Sequence, residues 1–396
     1  MNRTTVVAIA AAAVIGTTGG VTLAVAGVGS GDRDPGASDR TTPGGSSTGT
    51  TATDTTATAT TATATTATDG SDGTDGSDGT DTATPQPLYY ADGAIHDGGT
   101  SVAVPTEVAA NDVYELYAVS GGWLVVNGED DSSSDIVYTG TYVQQDGAAW
   151  RIGEWRGAAD ITADRRRVVY SDRFKWHVAT FADRTTEALD VLDGVGKELP
   201  FMEVDTLREG VAIGPEGIIS AYDAGGTSRL AQTEKDHWTH EEWGPRGVDV
   251  PLTSPDATRA VASYPHPDLA PDSPFGSCLT GGATDDTGSW WEECEVGPAS
   301  PEPWSPSGAG LLVMGTASDG WGPSWLRVVD PLTGEELSEV DPGNLLVRGQ
   351  WGDETTVFAL VLDDRDFSGR IKACDTGTGK CTEVKRVSDS AVLGSR

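Results

Sequence analysis

Basic residues are scarce in this chain. Its 396 residues include 26 Lys and Arg against 61 Asp and Glu, and the formal net charge is −35 at pH 7. Because so acidic a surface repels phosphate backbones, we do not expect a nucleic acid partner. Cationic partners are compatible with this charge, which also favours solubility outside the cell.

The chain also lacks the short motifs that mark common catalytic and cofactor sites. It contains no P-loop, HExxH sequence, dinucleotide fingerprint or nucleophile elbow. There are four cysteines, no C-x-x-C redox motif, and no cysteine before Cys278, which excludes an N-terminal lipoprotein anchor. We therefore predict no catalytic residues, no cofactor and no metal.

One long apolar run extends from Val6 to Val28. As a helix it would reach about 34 Å, enough to cross a bilayer core of about 30 Å. Residues 1–28 are thus predicted to be a signal peptide cleaved after Ala26 or an uncleaved single-pass membrane anchor. In either case the remainder is expected to be extracytoplasmic, secreted or anchored to the cell membrane.

Residues 29–87 are of low complexity and rich in Thr, Ala, Asp and Gly. They lack the apolar residues needed to offset the entropy of ordering, so we predict a disordered tether. Its threonines would suit O-glycosylation. The Asp-Gly repeats between Asp69 and Asp81 lack the ligand spacing of a calcium-binding EF-hand loop.

Residues 88–396 contain no convincing amphipathic helix, but they contain a recurring β-branched strand. It appears about every 45 residues, centred on Trp123, Val168, Val211, Ala260, Leu311 and Val357. Most copies are followed by a hairpin, so each repeat contains four strands. This pattern predicts an all-β protein, a β-propeller of six or seven four-stranded blades, with a packed sandwich as the alternative. The hairpin Leu88–Gly99 either closes the ring or starts a seventh blade.

Two turns connect this pattern with a known family. "LTSPDATRAVASY" at 252–264 and "WSPSGAGLLVMG" at 304–315 resemble the Ser-Pro-Asp/Ser-Gly turn of bacterial WD40-like, TolB-like propellers. With the apolar start and the tether, the chain resembles secreted actinobacterial-type propeller proteins of unassigned function. Eukaryotic Gly-His and Trp-Asp dipeptides are absent, so their peptide-binding chemistry is not implied. "TDDTGSWW" at 284–291 fits a structural Asp-box and also favours a propeller.

The cysteines fall on the arms of two such hairpins. Facing residues on antiparallel strands lie about 4.5–5.5 Å apart at Cα, which is within disulfide range. Of the three possible connectivities we predict Cys278–Cys294 and Cys374–Cys381, which an exported chain would keep oxidised. A zinc site of four cysteines is not expected, because the two pairs lie two repeats apart.

Loops that join strands two and three, or one blade to the next, share one face of a propeller. By this reasoning the segments 171–177, 234–247, 264–277 and 315–325 place aromatic and histidine side chains on one face. The candidate ligand-binding residues are Trp176, His177, His237, Trp238, His240, Trp243, His266, Trp321 and Trp325. Alternatively, the tryptophans cover blade edges. His237 and His240 could also hold zinc or copper, although a solvated loop explains them more simply.

These patterns predict a non-catalytic extracytoplasmic binding or scaffold module, expected to be monomeric. It would recognise a cell-envelope glycan or protein through its Trp/His-rich face. The alternative is a hydrolase or lyase that acts on an envelope polymer from a propeller scaffold.

Overall fold

The structure is a computed structural model, and its described residues are mostly β-strand with very little helix. Those residues are 85–109, 112–130, 136–155, 159–172, 176–189, 210–213, 219–222, 228–234, 237–242, 252–256, 258–265, 277–316, 323–343 and 345–396. The predicted N-terminal apolar helix and most of the predicted tether lie outside them. In the described part, no helix is long and apolar enough to cross a membrane.

The described strands form seven antiparallel sheets of four strands each. Sheet 1 contains β28 (Val392–Leu393), β1 (Leu88–Ala91), β2 (Ala94–Asp97) and β3 (Thr100–Ala103). Sheet 2 contains β4 (Val113–Val119), β5 (Gly122–Asp130), β6 (Ile136–Gln144) and β7 (Ala149–Trp155). Sheet 3 contains β8 (Ala159–Ile161), β9 (Arg167–Ser171), β10 (Trp176–Thr180) and β11 (Thr185–Leu189). A short helix α1 (Thr106–Ala109) precedes β4.

The other sheets continue in chain order. Sheet 4 contains β12 (Gly210–Ile213), β13 (Ile219–Tyr222), β14 (Ser228–Glu234) and β15 (His237–Glu242). Sheet 5 contains β16 (Leu252–Thr253), β17 (Arg259–Pro265), β18 (Ser277–Ala283) and β19 (Trp291–Cys294). Sheet 6 contains β20 (Val296–Pro298), β21 (Leu311–Gly315), β22 (Leu326–Val329) and β23 (Glu336–Val340). Sheet 7 contains β24 (Leu346–Trp351), β25 (Thr356–Leu362), β26 (Gly369–Asp375) and β27 (Cys381–Val387).

Burial within a sheet falls from its inner strands to its outer strand. In sheet 7, the central five residues of β25 are buried, whereas the central five residues of β27 are exposed. A strand that is buried on both faces needs apolar residues at successive positions, as in the "TVFALVL" of β25. The cores therefore lie between the faces of neighbouring sheets, as the propeller prediction requires.

The recurring turn before the second strand has a common hydrogen-bond pattern. It is present at 162–167, 254–259 and 305–310. In each turn the N–H of the first residue donates to the carbonyl of the last, at 3.0, 2.9 and 2.8 Å. The hydroxyl of Thr162, Ser254 or Ser305 accepts from the N–H of that last residue, at 3.0, 3.1 and 3.1 Å. A Ser or Thr hydroxyl that caps its own turn explains why this short motif recurs.

The ring is closed by strands from the two ends of the described propeller. The hairpin of β1 and β2 starts a seventh sheet, and β28 completes that sheet by pairing with β1. Phe358, Leu360 and Ile371 of sheet 7 pack against Tyr89 and Leu393 of sheet 1. The fold prediction is therefore confirmed, and the question of the N-terminal hairpin is decided in favour of a seventh sheet.

Both predicted disulfides are present. Cys278 faces Cys294 across β18 and β19, and Cys374 faces Cys381 across β26 and β27. The Cα separations are 3.8 and 4.0 Å. Each bond crosslinks the two outer strands of a sheet, and two disulfides indicate an oxidising, extracytoplasmic environment.

Candidate functional site

The antiparallel sheets give the propeller two faces. We call one the turn face, which contains the connections 162–166, 299–310 and 352–355 between first and second strands. We call the other the loop face, which contains residues 341–343, 363–368 and 388–391. These are the connections from one sheet to the next, or between second and third strands. Side chains at the two faces are therefore available to different partners.

Side chains on the turn face bind one another from sheet to sheet. Arg259 Nη1 donates to the Gly308 carbonyl at 2.6 Å, which links sheets 5 and 6. The Ser307 hydroxyl donates to Glu354 at 2.9 Å, which links sheets 6 and 7. Arg165 of sheet 3 pairs with Glu302 of sheet 6 at 2.9 Å, so this ion pair joins sheets that are not neighbours in the ring. Side-chain contacts on the turn face thus hold the sheets of the ring together.

A second polar cluster lies at the inner edge of the ring. The Tyr117 hydroxyl donates to Glu115 Oε2 at 2.6 Å. Burial raises the pKa of Glu115, and the nearby Glu302 adds to this, while Tyr117 and Arg348 oppose it. Burial, and then the charge of Glu115, raise the pKa of Tyr117 well above its usual value.

Arg348 uses its guanidinium to join three sheets. Its Nη1 donates to the Leu393 carbonyl and its Nη2 to the Tyr114 carbonyl, both at 3.2 Å. Because Arg348 is in β24, these bonds connect sheet 7 with sheets 1 and 2. The groups at the inner edge therefore take part in ring closure.

The loop face of sheet 7 carries a structured loop at 363–368. Asp363 N–H donates to the Ser368 carbonyl and Phe367 N–H to the Asp363 carbonyl, both at 2.9 Å. Hydrogen bonds from the N–H and hydroxyl of Ser368 lower the pKa of Asp366. Phe367 has a φ of 56° and is 42% exposed. The loop therefore holds an aromatic ring towards solvent at a defined position.

A cavity of about 170 Å³ lies beside this loop. Its lining comprises Pro342, Gly343, Val361, Leu362, Asp363, Asp364, Arg370 and Lys372. Arg370 Nη2 pairs with Asp363, and Lys372 Nζ donates to the Pro342 carbonyl. The cavity thus combines apolar walls with two carboxylates and two cations.

The sequence analysis did not single out Phe367, Arg370 or Lys372. A signal was present, because residues 369–387 contain five of the 26 basic residues of an acidic chain. It was overlooked because isolated bases on a hairpin are indistinguishable from ordinary solubilising residues.

The prediction that Trp176 lies in a loop on one face of the propeller was wrong. Trp176 is the first residue of β10, pairs with Ser171 and Leu189, and is 3% exposed. His177 follows it in the strand, half-buried, with its Nε2 2.7 Å from Asp172. The His177 ring stacks on Tyr170 at 5.0 Å. Both side chains are therefore held against sheet 3.

Trp325 also packs against its own sheet. The Arg327 guanidinium lies over its ring at 4.1 Å. A Cβ on Gly315 would be only 2.9 Å from the ring, so glycine at this position lets the indole cover β21. Trp155 and Trp304 are 3% and 8% exposed, and Trp304 belongs to the turn face. These tryptophans pack against the sheets, in agreement with the alternative interpretation that they cover blade edges.

His237, Trp238 and His240 lie in strand β15 and not in a loop. They are opposite Glu234, Gln232 and Leu230 of β14, so their predicted loop placement was wrong. Their part in ligand binding stays a prediction. Trp243, His266 and Trp321 lie outside the described residues.

One described group has donors close enough for a metal ion, namely Cys278, Glu292 and Cys294. Both of its cysteines are joined in a disulfide, so their sulfurs are not thiolate ligands.

No protein-family model and no curated protein matches the chain. The chain is similar to several solved structures. The β-propeller domain of the Trilobed protease from Pyrococcus furiosus is 13% identical, with 69% of this chain and 84% of that chain covered and a TM-score of 0.42. The Cps50 (Swd1) β-propeller domain of Myceliophteria thermophila is 10% identical, with 78% and 91% covered and a TM-score of 0.42. TolB from Acinetobacter baumannii is 10% identical, with 65% and 63% covered and a TM-score of 0.37.

Proposed function

We propose that this chain is a non-catalytic extracytoplasmic β-propeller that binds a cell-envelope glycan through its loop face. The observation that carries the proposal is an exposed aromatic ring, Phe367, in the loop whose Asp363 and Asp364 line the cavity. Aromatic rings pack against sugar faces, and carboxylates and cations bond to sugar hydroxyls. An envelope protein is the other ligand that such a surface could accept.

The contrast between the two faces supports this choice. On the turn face Arg259, Glu354 and the Arg165–Glu302 pair bind turns of other sheets, so they contribute to the ring itself. On the loop face, Phe367 and Asp364 are exposed, and Lys372 bonds only to a main-chain carbonyl in the hydrogen bonds of the described residues. A rigid ring with one face left for contacts is a typical recognition scaffold. The predicted Trp243, His266 and Trp321 belong to the same proposal, whereas His237 begins β15 at its turn-face end.

Binding of the purified protein to fractionated cell-wall polymers tests this function. We expect saturable retention that Phe367→Ala weakens about tenfold, because a central aromatic contact contributes about 1–2 kcal/mol. Leu337→Ala is the matched control, since Leu337 is 56% exposed but lies on the outer strand β23. Equal retention of wild type and Phe367→Ala would contradict the proposed contact surface.

The alternative, a hydrolase or lyase, is favoured by one observation. Glu115 is a half-buried carboxyl with a raised pKa and a tyrosine hydroxyl at 2.6 Å, which are properties of a general acid. Release of reducing ends from an envelope polymer by wild type, abolished in Glu115→Gln, would establish this activity instead.

A further inference from the structure

Sheet 7 carries an unusual concentration of positive charge. Its outer hairpin, residues 369–387, contains five basic and two acidic residues in a chain with a net charge of −35. Lys380, Lys385 and Arg386 are exposed, while Arg370 and Lys372 are half-buried. The hairpin therefore differs in sign from the rest of the chain.

Three of these cations gather around a single carboxylate, Glu383. Arg386 Nε is 2.9 Å from Glu383 Oε1, and Arg370 Nη1 is 3.6 Å from Oε2. Lys372 is directly opposite Glu383 in the register of β26 and β27. Asp363, which pairs with Arg370, is the second carboxylate of the cluster. Asp364 also lines the cavity, so these three positive groups are matched by three carboxylates.

The register of this hairpin places like charges side by side. Arg370 is directly opposite Arg386, an arrangement that destabilises a sheet. The chain has few basic residues, so two arginines facing each other in one sheet are not a product of composition alone. A loss of sheet stability from facing like charges is expected where those charges bind a ligand.

Two of the cations also open onto the cavity on the loop face. Arg370 and Lys372 are part of its lining. Among the described residues no carboxylate forms an ion pair with Lys372, whose ammonium donates to the Pro342 carbonyl. The other hydrogens of the Lys372 ammonium are therefore available for an acceptor with negative charge.

We propose that Arg370, Lys372 and Arg386 form a binding site for the anionic groups, phosphate or carboxylate, of an envelope polymer. This inference rests on the proposed function and names its ligand class. Guanidinium groups bind both anions through two parallel hydrogen bonds, and a lysine adds a compact charge.

Equilibrium binding of the full chain to three soluble polymers tests the site. The probes are poly(glycerol phosphate), alginate and dextran, which carry phosphate, carboxylate and no charge. We expect Lys372→Gln and Arg386→Gln each to weaken binding of an anionic probe about tenfold, through the loss of a charge-assisted bond. Wild-type binding should also weaken as salt rises from about 0.05 to 0.5 M.

Arg151→Gln is the matched control. Arg151 is an exposed arginine on the outer strand β7, paired with Glu154 three residues on, as Arg386 is with Glu383. It should bind the anionic probes like wild type, and unchanged thermal unfolding midpoints should show that the variants are folded.

Each outcome bears on the proposal. Preference for poly(glycerol phosphate) or for alginate supports it and identifies the anion. An equal loss in Arg151→Gln and Arg386→Gln overturns it, since net charge alone would then explain the effect. Binding of all three polymers that is lost in Phe367→Ala but unchanged in Arg386→Gln and Lys372→Gln overturns the anion site and leaves the proposed function standing. No binding to any polymer, including the fractionated wall material, overturns both.

Discussion

Arg348→Met should open the ring at its closure. The substitution removes two hydrogen bonds of 3.2 Å from a charged donor to the main-chain carbonyls of Leu393 and Tyr114. Bonds of this kind contribute about 1.5–3 kcal/mol each. Because Arg348 is half-buried, we take the lower value and expect a loss of about 3 kcal/mol in the free energy of unfolding. Urea unfolding followed by tryptophan fluorescence measures this loss.

Arg327→Met is the matched control for this prediction. Arg327 has a side chain 28% exposed, lies in the neighbouring sheet 6 and pairs with Glu339 at 2.7 Å. It makes surface ion pairs and a cation–π contact with the Trp325 ring, so its replacement should cost about 1–2 kcal/mol. Equal losses in the two variants would refute the view that Arg348 secures the ring, as would a loss below that of Arg327→Met.

Three further changes test the packing and electrostatics. Since burial raises the pKa of Glu115 above its usual 4.5, its charged form opposes folding, and stability falls as pH rises through the folded-state pKa. Glu115→Gln should therefore unfold at higher urea than wild type at neutral pH, with no advantage below about pH 4; a constant difference across pH would contradict this. Gly334→Ala should lower the melting temperature, because Gly334 has a φ of 71° and its Cβ would lie 2.8 Å from the Trp291 ring. Gly377→Ala, with its nearest contact at 3.6 Å, should be nearly neutral, and a larger loss there would be inconsistent with the steric reason. Replacing Cys374 and Cys381 by serine should cost about 2 kcal/mol in urea unfolding, and alkylation of the unreduced wild-type protein should label no cysteine.

The repeat and the disulfides could be predicted because their signals are local. Ser254 and Ser305 cap short turns that precede a buried strand, so the motif and the strand occur together in the sequence. Cys374 and Cys381 lie on the arms of one hairpin, where a few intervening residues fix their register. Such features depend on neighbours within a few residues.

The site could not be predicted to the same extent. Trp176 is the first residue of β10 and is buried. If the predicted start of this strand is wrong by one or two residues, a buried tryptophan is assigned to an exposed loop. The cavity brings Pro342 together with Lys372 across two sheets, a contact that no local pattern encodes. Phe367 owes its exposure to the hydrogen bonds of its loop, which the sequence indicates only as a turn.

Sheet 1 draws β28 and β1 from opposite ends of the described propeller, and this has a consequence for synthesis. The other six sheets can form one after another as the polypeptide emerges, because each uses consecutive strands. Sheet 1 must wait for Val392 and Leu393, which follow every other described strand. Contacts between such distant segments form slowly, so an open arc of sheets with uncovered apolar edges precedes the ring.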